Sequence, residues 1–505
     1  MKRLLPVLLT LVACGQAPAP PATPATVPAP APTGAPSLAP AAVSTPAPPP
    51  WGTDDQLASY LDEFVGAMGK KWGEAYAFSG IIAVAKDGKP FVVRAYGKSN
   101  RDSGAVADAD TRYRIGSVTK QFTAVCILQL AEQGKLKVED SIRTYLPDYP
   151  KKTGDKITLH QLLSHTSGLP SYTDDEALMK VRDKDHTPDQ VLATFKDKPL
   201  HFDPGTKWEY SNSNYFLLGL VVEKLSGQTY EKYLQDHVLG PAGMTRTSTI
   251  DAPDAPDTAV GYDTSDANDE TLSAAKPISM TLPFAAGALR STVNDLLKWD
   301  RALAGTMLLS EASKARMITP VMNDYGYGIA ARTEGGHVVL EHDGGIDGFR
   351  STFVRIPDAG LAIVGLANAP AAPGPIANAL VSMLLEGKRT PPVEERDLVP
   401  TSPELVARAI GDYAMSPDSK KELDAKLPKK LMADIARIRV SADGTKLSFK
   451  PNGQGKDRIF SGGGDVLFTM GDGIEITLEG DPKGPAKAFV LKQGALAIRY
   501  ERAKR

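Results

Sequence analysis

Between Thr53 and Trp72 the apolar residues Leu57, Leu61, Phe64, Val65 and Met68 recur at helical spacing, which predicts an amphipathic helix. The period then changes. From Ser79 to Gly97 two strand-like runs flank Asp87-Gly88, a strong hairpin signal. A long, mostly helical and loop-rich middle follows. Within it Gln121 to Ala131 is apolar on nearly every side and Gly134 offers a stop, the pattern of a buried helix. Phe216 to Leu225 reads as another helix, and Ala285 to Asp295 as a turn leading into a capped one. Sheet signals return between Tyr325 and Ala369, notably His337 to Glu341 and Leu361 to Leu366, before a helix near Pro375 to Leu385. The two ends of this region thus supply sheet and flanking helices, and a helical insert lies between them.

From about Thr401 the pattern is different. After a short helical stretch near Glu404 to Ile410 and a Lys-rich segment, strand-sized pieces recur between Gly, Asp and Pro turns. They include Ile438 to Ser441, Lys446 to Phe449, Val466 to Phe468, Ile474 to Leu478 and Ala488 to Leu491. A small all-β module is expected, either barrel or sandwich.

The first residues carry an address. Lys2 and Arg3 precede an apolar run, Leu4 to Ala13, too short to span a bilayer as a mature helix, and the run ends in Leu-Val-Ala-Cys14. That ending resembles the lipobox of bacterial lipoproteins, which implies acylation of Cys14 and its exposure as the new N-terminus. Gly15 to Pro50 is almost wholly Ala, Pro, Thr and Ser, a composition that cannot bury a core. In extended polyproline form, at about 3.1 Å per residue, such a tether reaches up to roughly 100 Å. The expected organisation is a signal at 1–13, a lipidated linker at 14–51, a main domain at 52–390 and the β module at 400–505. Asp, associated with inner-membrane retention, does not follow Cys14, so an outer-membrane anchor facing the periplasm is expected in a cell that has one.

Composition changes little beyond this. The 505 residues are 42% hydrophobic and 23% charged, with net charge −2, which gives no reason to expect nucleic acid as a partner. The β module carries 19 basic against 14 acidic residues, a difference of +5 that is too mild to imply a polyanion. Cys126 is the only cysteine besides Cys14, so with Cys14 acylated no intramolecular disulfide forms and Cys126 reads as a small buried hydrophobe. A monomer is expected, with a small molecule or peptide as substrate and no cofactor or metal.

Candidate chemistry begins at Ser117-Val-Thr-Lys120. A serine three residues before a lysine is expected about twice by chance in such a chain, and it occurs twice, the second time at Ser273-Ala-Ala-Lys276. Pro277 disfavours a helix after the second copy, whereas the first enters the buried helix. There one turn brings the Lys120 amine to the Ser117 hydroxyl, and burial favours the neutral amine. A capping serine with a snorkelling lysine would give the same four letters. Tyr210-Ser-Asn212 and the glycine-rich Glu341-His-Asp-Gly-Gly-Ile-Asp-Gly348 add polar groups and a strand end that a substrate backbone could approach.

Together Gly116-Ser-Val-Thr-Lys120, Leu162-Leu-Ser-His-Thr-Ser-Gly-Leu169, Pro204-Gly with Tyr210-Ser-Asn212, and His342-Asp-Gly344 resemble the penicillin-recognising serine hydrolases: class C β-lactamases, DD-peptidases and related esterases. The resemblance covers about Thr53 to Lys388. It implies an α/β fold of the α+β type, an antiparallel sheet flanked by helices with an all-helical subdomain, and the terminal module is similar to lipocalin-like domains. It also implies that Ser117 is acylated, that Lys120 activates it, and that Tyr210 shares proton transfer as base and then acid. Asn212 would bind the substrate amide or position Lys120, and Gly345, after His342-Asp343-Gly344, would join Ser117 in an oxyanion hole. His165 would belong to a structural loop below the site. The third motif departs from the pattern: β-lactamases and most DD-peptidases carry Lys-Thr-Gly there, and that lysine helps hold a substrate carboxylate. Histidine is mostly neutral at pH 7, and His-x-Gly is similar to esterase and D-aminopeptidase members. Arg350 could replace the charge, while Tyr325 and Tyr327 could line the cleft or pack in the core.

The expected function is a serine hydrolase of the bacterial envelope that cleaves a β-lactam, a D-amino-acid peptide or a carboxylic ester. The alternative is a catalytically idle lipoprotein that binds peptidoglycan or a partner. No Gly-x-Ser-x-Gly elbow occurs, and His160 and His165 do not form a His-Glu-x-x-His zinc pattern.

Overall fold

A computed structural model describes residues 49–72, 77–249, 257–264, 272–390, 399–424, 427, 429–451, 457–469, 474–493 and 496–503. The expected signal, Cys14 and nearly all of the expected tether lie outside the described residues.

Helix α1 (Asp54–Trp72) opens with a capping box, in which Thr53 and Gln56 exchange backbone-to-side-chain hydrogen bonds of 2.8 and 3.2 Å. Strands β1 (Gly80–Lys86) and β2 (Lys89–Tyr96) turn at Asp87-Gly88, whose φ values of +49° and +70° are those of a tight hairpin turn. The middle supplies α2 (Thr119–Glu132), α3 (Asn212–Ser226) and α4 (Val293–Ala304). Helix α2 is buried from Thr119 to Leu128 and stops at Gly134, with φ +69°. Helix α3 starts four residues earlier than its apolar run suggests, at Asn212, because a polar first turn leaves no hydrophobic period to read.

Strands β3 (Ala330–Glu334), β4 (His337–Ile346), β5 (Phe349–Ile356) and β6 (Leu361–Ala367) complete a six-stranded antiparallel sheet in the order β2-β1-β6-β5-β4-β3. Helix α5 (Gly374–Glu386) follows. One face of the sheet buries Ile82, Val84, Val354 and Ile363 against α1 and α5. The other buries Ile81, Ala83, Phe353 and Val364 against α2, α3 and α4. Alternation along β1 and β6 produces both faces, so both strands read as continuous apolar runs. The ends of the unit meet on the α1 side: Pro50 O packs against Gly387, and the Tyr60 hydroxyl and the Thr390 backbone exchange hydrogen bonds of 2.9 and 3.1 Å.

Beyond residue 399 come α6 (Pro403–Ala409), β7 (Gly411–Met415), α7 (Pro417–Asp424), α8 (Lys429–Ile435) and seven further strands. These are β8 (Arg437–Asp443), β9 (Lys446–Pro451), β10 (Asp457–Gly463), β11 (Val466–Phe468), β12 (Ile474–Glu479), β13 (Ala488–Gln493) and β14 (Leu496–Arg502). Pairing of β7 with both β8 and β14 closes an eight-stranded antiparallel barrel, which settles the choice between barrel and sandwich. Its interior is packed: the rings of Tyr413 and Phe489, and of Phe489 and Tyr500, lie 4.7 and 5.0 Å apart.

Candidate active site

Ser117 sits in a single 3-10 turn, Gly116–Val118, that runs directly into α2. It is the one partly exposed residue between Ile115 and Gln121. Gly116, with φ +49°, is what lets the turn touch β4: a Cβ there would lie 2.9 Å from the Gly345 nitrogen. Gly344 serves the same contact from the strand, since its Cβ would fall 2.0 Å from Ile115 O and 2.2 Å from Ser351 Oγ. Gly345 is different: it is exposed, with nothing nearer to its Cβ position than Arg350 Cδ at 3.9 Å. The second serine–lysine pair is not helical: Ser273 lies on a short strand, Leu272–Ala274, and Lys276 is exposed.

Lys120 is fully buried one turn after Ser117. Its Nζ lies 3.0 Å from Ser117 Oγ, 2.8 Å from Asn212 Oδ1 and 2.8 Å from Ala286 O. The amide and carbonyl oxygens can only accept, so they take two N–H bonds. Burial holds the amine well below the ordinary lysine range. A neutral amine in this position has two hydrogens for those two oxygens and a lone pair left for the Ser117 hydroxyl, whereas an ammonium donates to all three. The Tyr210 and Tyr215 rings lie 4.8 and 5.5 Å from Nζ.

Tyr210 is half-buried, and its hydroxyl meets that of Ser117; burial raises its pKa and the Ser117 bond partly offsets this. The segment carrying it rests on the His165 loop. His165, in a left-handed conformation with φ +59°, accepts at Nδ1 from Ser211 N (3.2 Å) and Asn214 Nδ2 (3.0 Å), and its carbonyl accepts from Glu209 N at 3.0 Å. Its ring lies 4.3 Å from that of Tyr210. Asn212 is held from its own backbone N–H by Ser171 Oγ at 3.2 Å.

His342 is 7% exposed. Its Nδ1 lies 2.6 Å from the Asp343 carbonyl and must carry the proton; its Nε2 then accepts from the Tyr325 hydroxyl at 2.8 Å. Burial lowers its pKa to about 3, opposed by the Asp343 bond. Burial shifts His165 the same way. The two histidines are thus neutral in opposite tautomers.

The structure therefore brings Ser117, Lys120, Tyr210, Asn212 and Gly345 around one point, and places His342 and Gly344 behind it. Sequence reasoning missed the Ala286 carbonyl, which has no side-chain signature, and left Tyr325 open between cleft and core. No group of three or more His, Cys, Asp or Glu able to hold a metal occurs among the described residues.

Comparison with known proteins gives this arrangement its family. The beta-lactamase family model matches residues 57–385. The chain belongs to the beta-lactamase family. Its fold is that of the β-lactamase and penicillin-binding-protein-like serine hydrolases. PbpX of Bacillus subtilis (strain 168), a protein named for penicillin binding, is 31% identical over 258 residues, 50% of this chain and 61% of that one. The chain thus spans about six tenths of the length of that relative. Among solved structures, the octameric penicillin-binding protein homologue from Pyrococcus abyssi is 25% identical with TM-score 0.59, covering 88% of this chain and 99% of that one. A D-stereospecific amidohydrolase from Streptomyces sp. is 28% identical with TM-score 0.55, covering 66% and 99%.

Proposed function

We propose that the chain hydrolyses an amide or ester through an acyl-enzyme on Ser117. The observation that carries this reading is the buried Lys120 amine, whose Nζ lies 3.0 Å from Ser117 Oγ and 2.8 Å from each of the Asn212 Oδ1 and Ala286 O acceptors. Ser117 Oγ attacks the substrate carbonyl carbon as its proton passes to Lys120 Nζ, and the carbonyl π electrons move onto oxygen. The backbone N–H groups of Ser117 and Gly345 are placed in this reading as donors to that oxyanion. Collapse of the tetrahedral intermediate breaks the bond to the leaving group, which needs a proton. Tyr210, whose hydroxyl meets Ser117 and is kept protonated by burial, supplies it as an acid, and the proton taken up by Lys120 restores the phenol. Water then attacks the acyl-enzyme with the same groups acting in reverse.

Asn212 holds Lys120 through Oδ1, and in this reading its Nδ2 donates to the substrate amide. In this reading His342 and Gly344 support the wall. The leader and Cys14 extend the proposal to a lipid-anchored protein of the bacterial envelope. A fluorophosphonate probe read by intact mass tests the chemistry: one adduct is expected, absent in Ser117→Ala, and no adduct on the wild type would overturn it.

A further inference from the structure

We propose that Phe284 is a positioning residue for the catalytic base: its left-handed backbone, clamped by an aromatic seat beside α3, aims the Ala286 carbonyl at Lys120 Nζ. The inference rests on the reading of Lys120 as the base that activates Ser117.

Phe284 opens a single helical turn, Phe284–Gly287, with φ +40°, between Pro283 at φ −70° and Ala288 at φ −84°. Five non-glycine residues among the described ones have positive φ. Four are Asp, Asn or His, which enter this region comparatively readily, whereas a bulky side chain stays there only where its surroundings hold it.

The surroundings hold Phe284 from two sides. Its ring lies 5.2 Å from those of both Phe216 and Tyr230. Gly219 of α3 makes room for it, since a Cβ there would fall 2.4 Å from Phe284 Cε1 and 2.5 Å from Ala285 Cβ. On the other side, the first turns of α2 take the carbonyls that follow. Thr123 Oγ1 donates to Ala285 O at 2.6 Å, and Lys120 Nζ to Ala286 O at 2.8 Å. With the Thr123 proton so placed, the Tyr230 hydroxyl donates to Thr123 Oγ1 at 2.7 Å, so one ring serves both sides. Further along, Leu289 N donates to Thr119 Oγ1 at 3.2 Å and Leu289 O accepts from Ile115 N at 2.9 Å. The chain after Phe284 therefore lies along the turn that carries Ser117. Ala285, Ala286 and Gly287 have no side chain able to anchor it. The sign of φ at Phe284 sets the direction in which it leaves Pro283, and with it the aim of the Ala286 carbonyl.

The test compares Phe284→Ala with Phe284→Gly in the full-length protein, by the rate at which a fluorophosphonate labels Ser117. Rate constants are read at saturating probe on the population that labels, so an unfolded portion lowers the final extent and not the rate. Packing alone ranks Ala above Gly, because Gly loses the same ring and adds backbone freedom. The proposal ranks them the other way: glycine adopts φ +40° freely, whereas an alanine Cβ resists it. Phe284→Ala is expected to label about ten-fold or more slower than wild type, a fraction of the effect of losing the base altogether. Phe284→Gly is expected to exceed Phe284→Ala by about three-fold or more. A smaller slowing in Phe284→Ala, a smaller gap between the two, or the reverse order overturns the proposal. Gly219→Ala, whose methyl would push on Phe284 and Ala285 from α3, should slow labelling too. A wild-type rate there also overturns the proposal, and that variant decides it where the Phe284 variants do not fold. No label on the wild type would instead bring down the nucleophile reading itself.

Discussion

A buried lysine is held neutral at large cost to its charged form, and Lys120 has no carboxylate beside it to oppose that. The consequence for rate is direct. A base works above its pKa, so Ser117 labelling should persist far below the usual lysine range and fall only as pH drops through the lowered value. Lys120→Met should slow labelling by about 10²–10⁴-fold, the range for a lost general base. Lys120→Arg should not rescue it, because a guanidinium stays protonated; a labelling time course with both variants checks this. The histidines bear on stability instead. His342 and His165 have folded pKa values below the unfolded 6.5, so the unfolded chain binds more protons and stability rises with pH. For His342 the contribution is complete above about 6.5 and is lost as pH falls toward about 3, at roughly 1.4 kcal/mol per pH unit for one proton. Urea midpoints at pH 7 and pH 5 should therefore diverge in the wild type and diverge less in His342→Gln, where His165 still contributes. At this scale the sequence was a partial guide. Ser117, Lys120, Tyr210 and Asn212 were legible because side chains carry the pattern, and the Ala286 carbonyl was not, because any residue could supply it.

At the scale of elements, the site depends on one contact, the 3-10 turn before α2 against the end of β4. Two adjacent glycines in β4 meet it differently, and that difference separates support from cleft. A methyl at Gly344 would strike the Ile115 carbonyl, which is backbone and cannot swing away. Gly344→Ala should therefore cost about 2–3 kcal/mol, in the upper range for overpacking, and disturb Ser117 with it. Gly345→Ala meets only Arg350 Cδ at van der Waals distance. Its urea midpoint should therefore stay close to wild type. Equal loss of stability in both would refute the distinction. Elements with a clear period were legible: the Asp87-Gly88 hairpin, α1, α2 and the strands β4 and β6. Strands β7, β10 and β14 were not, because Arg, Asp, Glu and Gly dilute their alternation. Helices α7 and α8 lie in the Lys-rich segment, where charge hides the apolar positions Leu423 and Ile435 that face the barrel core.

Across the whole molecule the described residues form separate cores. Ser117 is supported by Ile115, Lys120, the His165 loop, Asn212, Ala286, Tyr325 and β4, all within the unit built on the six-stranded sheet. The barrel buries its own rings, and Arg408 is fixed inside it by Asp465 at 2.7 and 3.0 Å. Barrel against sandwich stayed open in the sequence because both are made of strands with the same period, and only the return of β14 to β7 distinguishes them. A chain of residues 49–390 retains Trp51 against Phe91, the Tyr60–Thr390 bonds and every group named at the site. It should fold, and Ser117 should take a fluorophosphonate within about two-fold of the full-length rate, since single cores are the units of cooperative unfolding. Calorimetry of the full-length protein should likewise show two transitions, of which the short chain keeps one at an unshifted temperature. A short chain that unfolds earlier or labels slowly would mean that the barrel stabilises the hydrolase unit, and would place the two in one cooperative body.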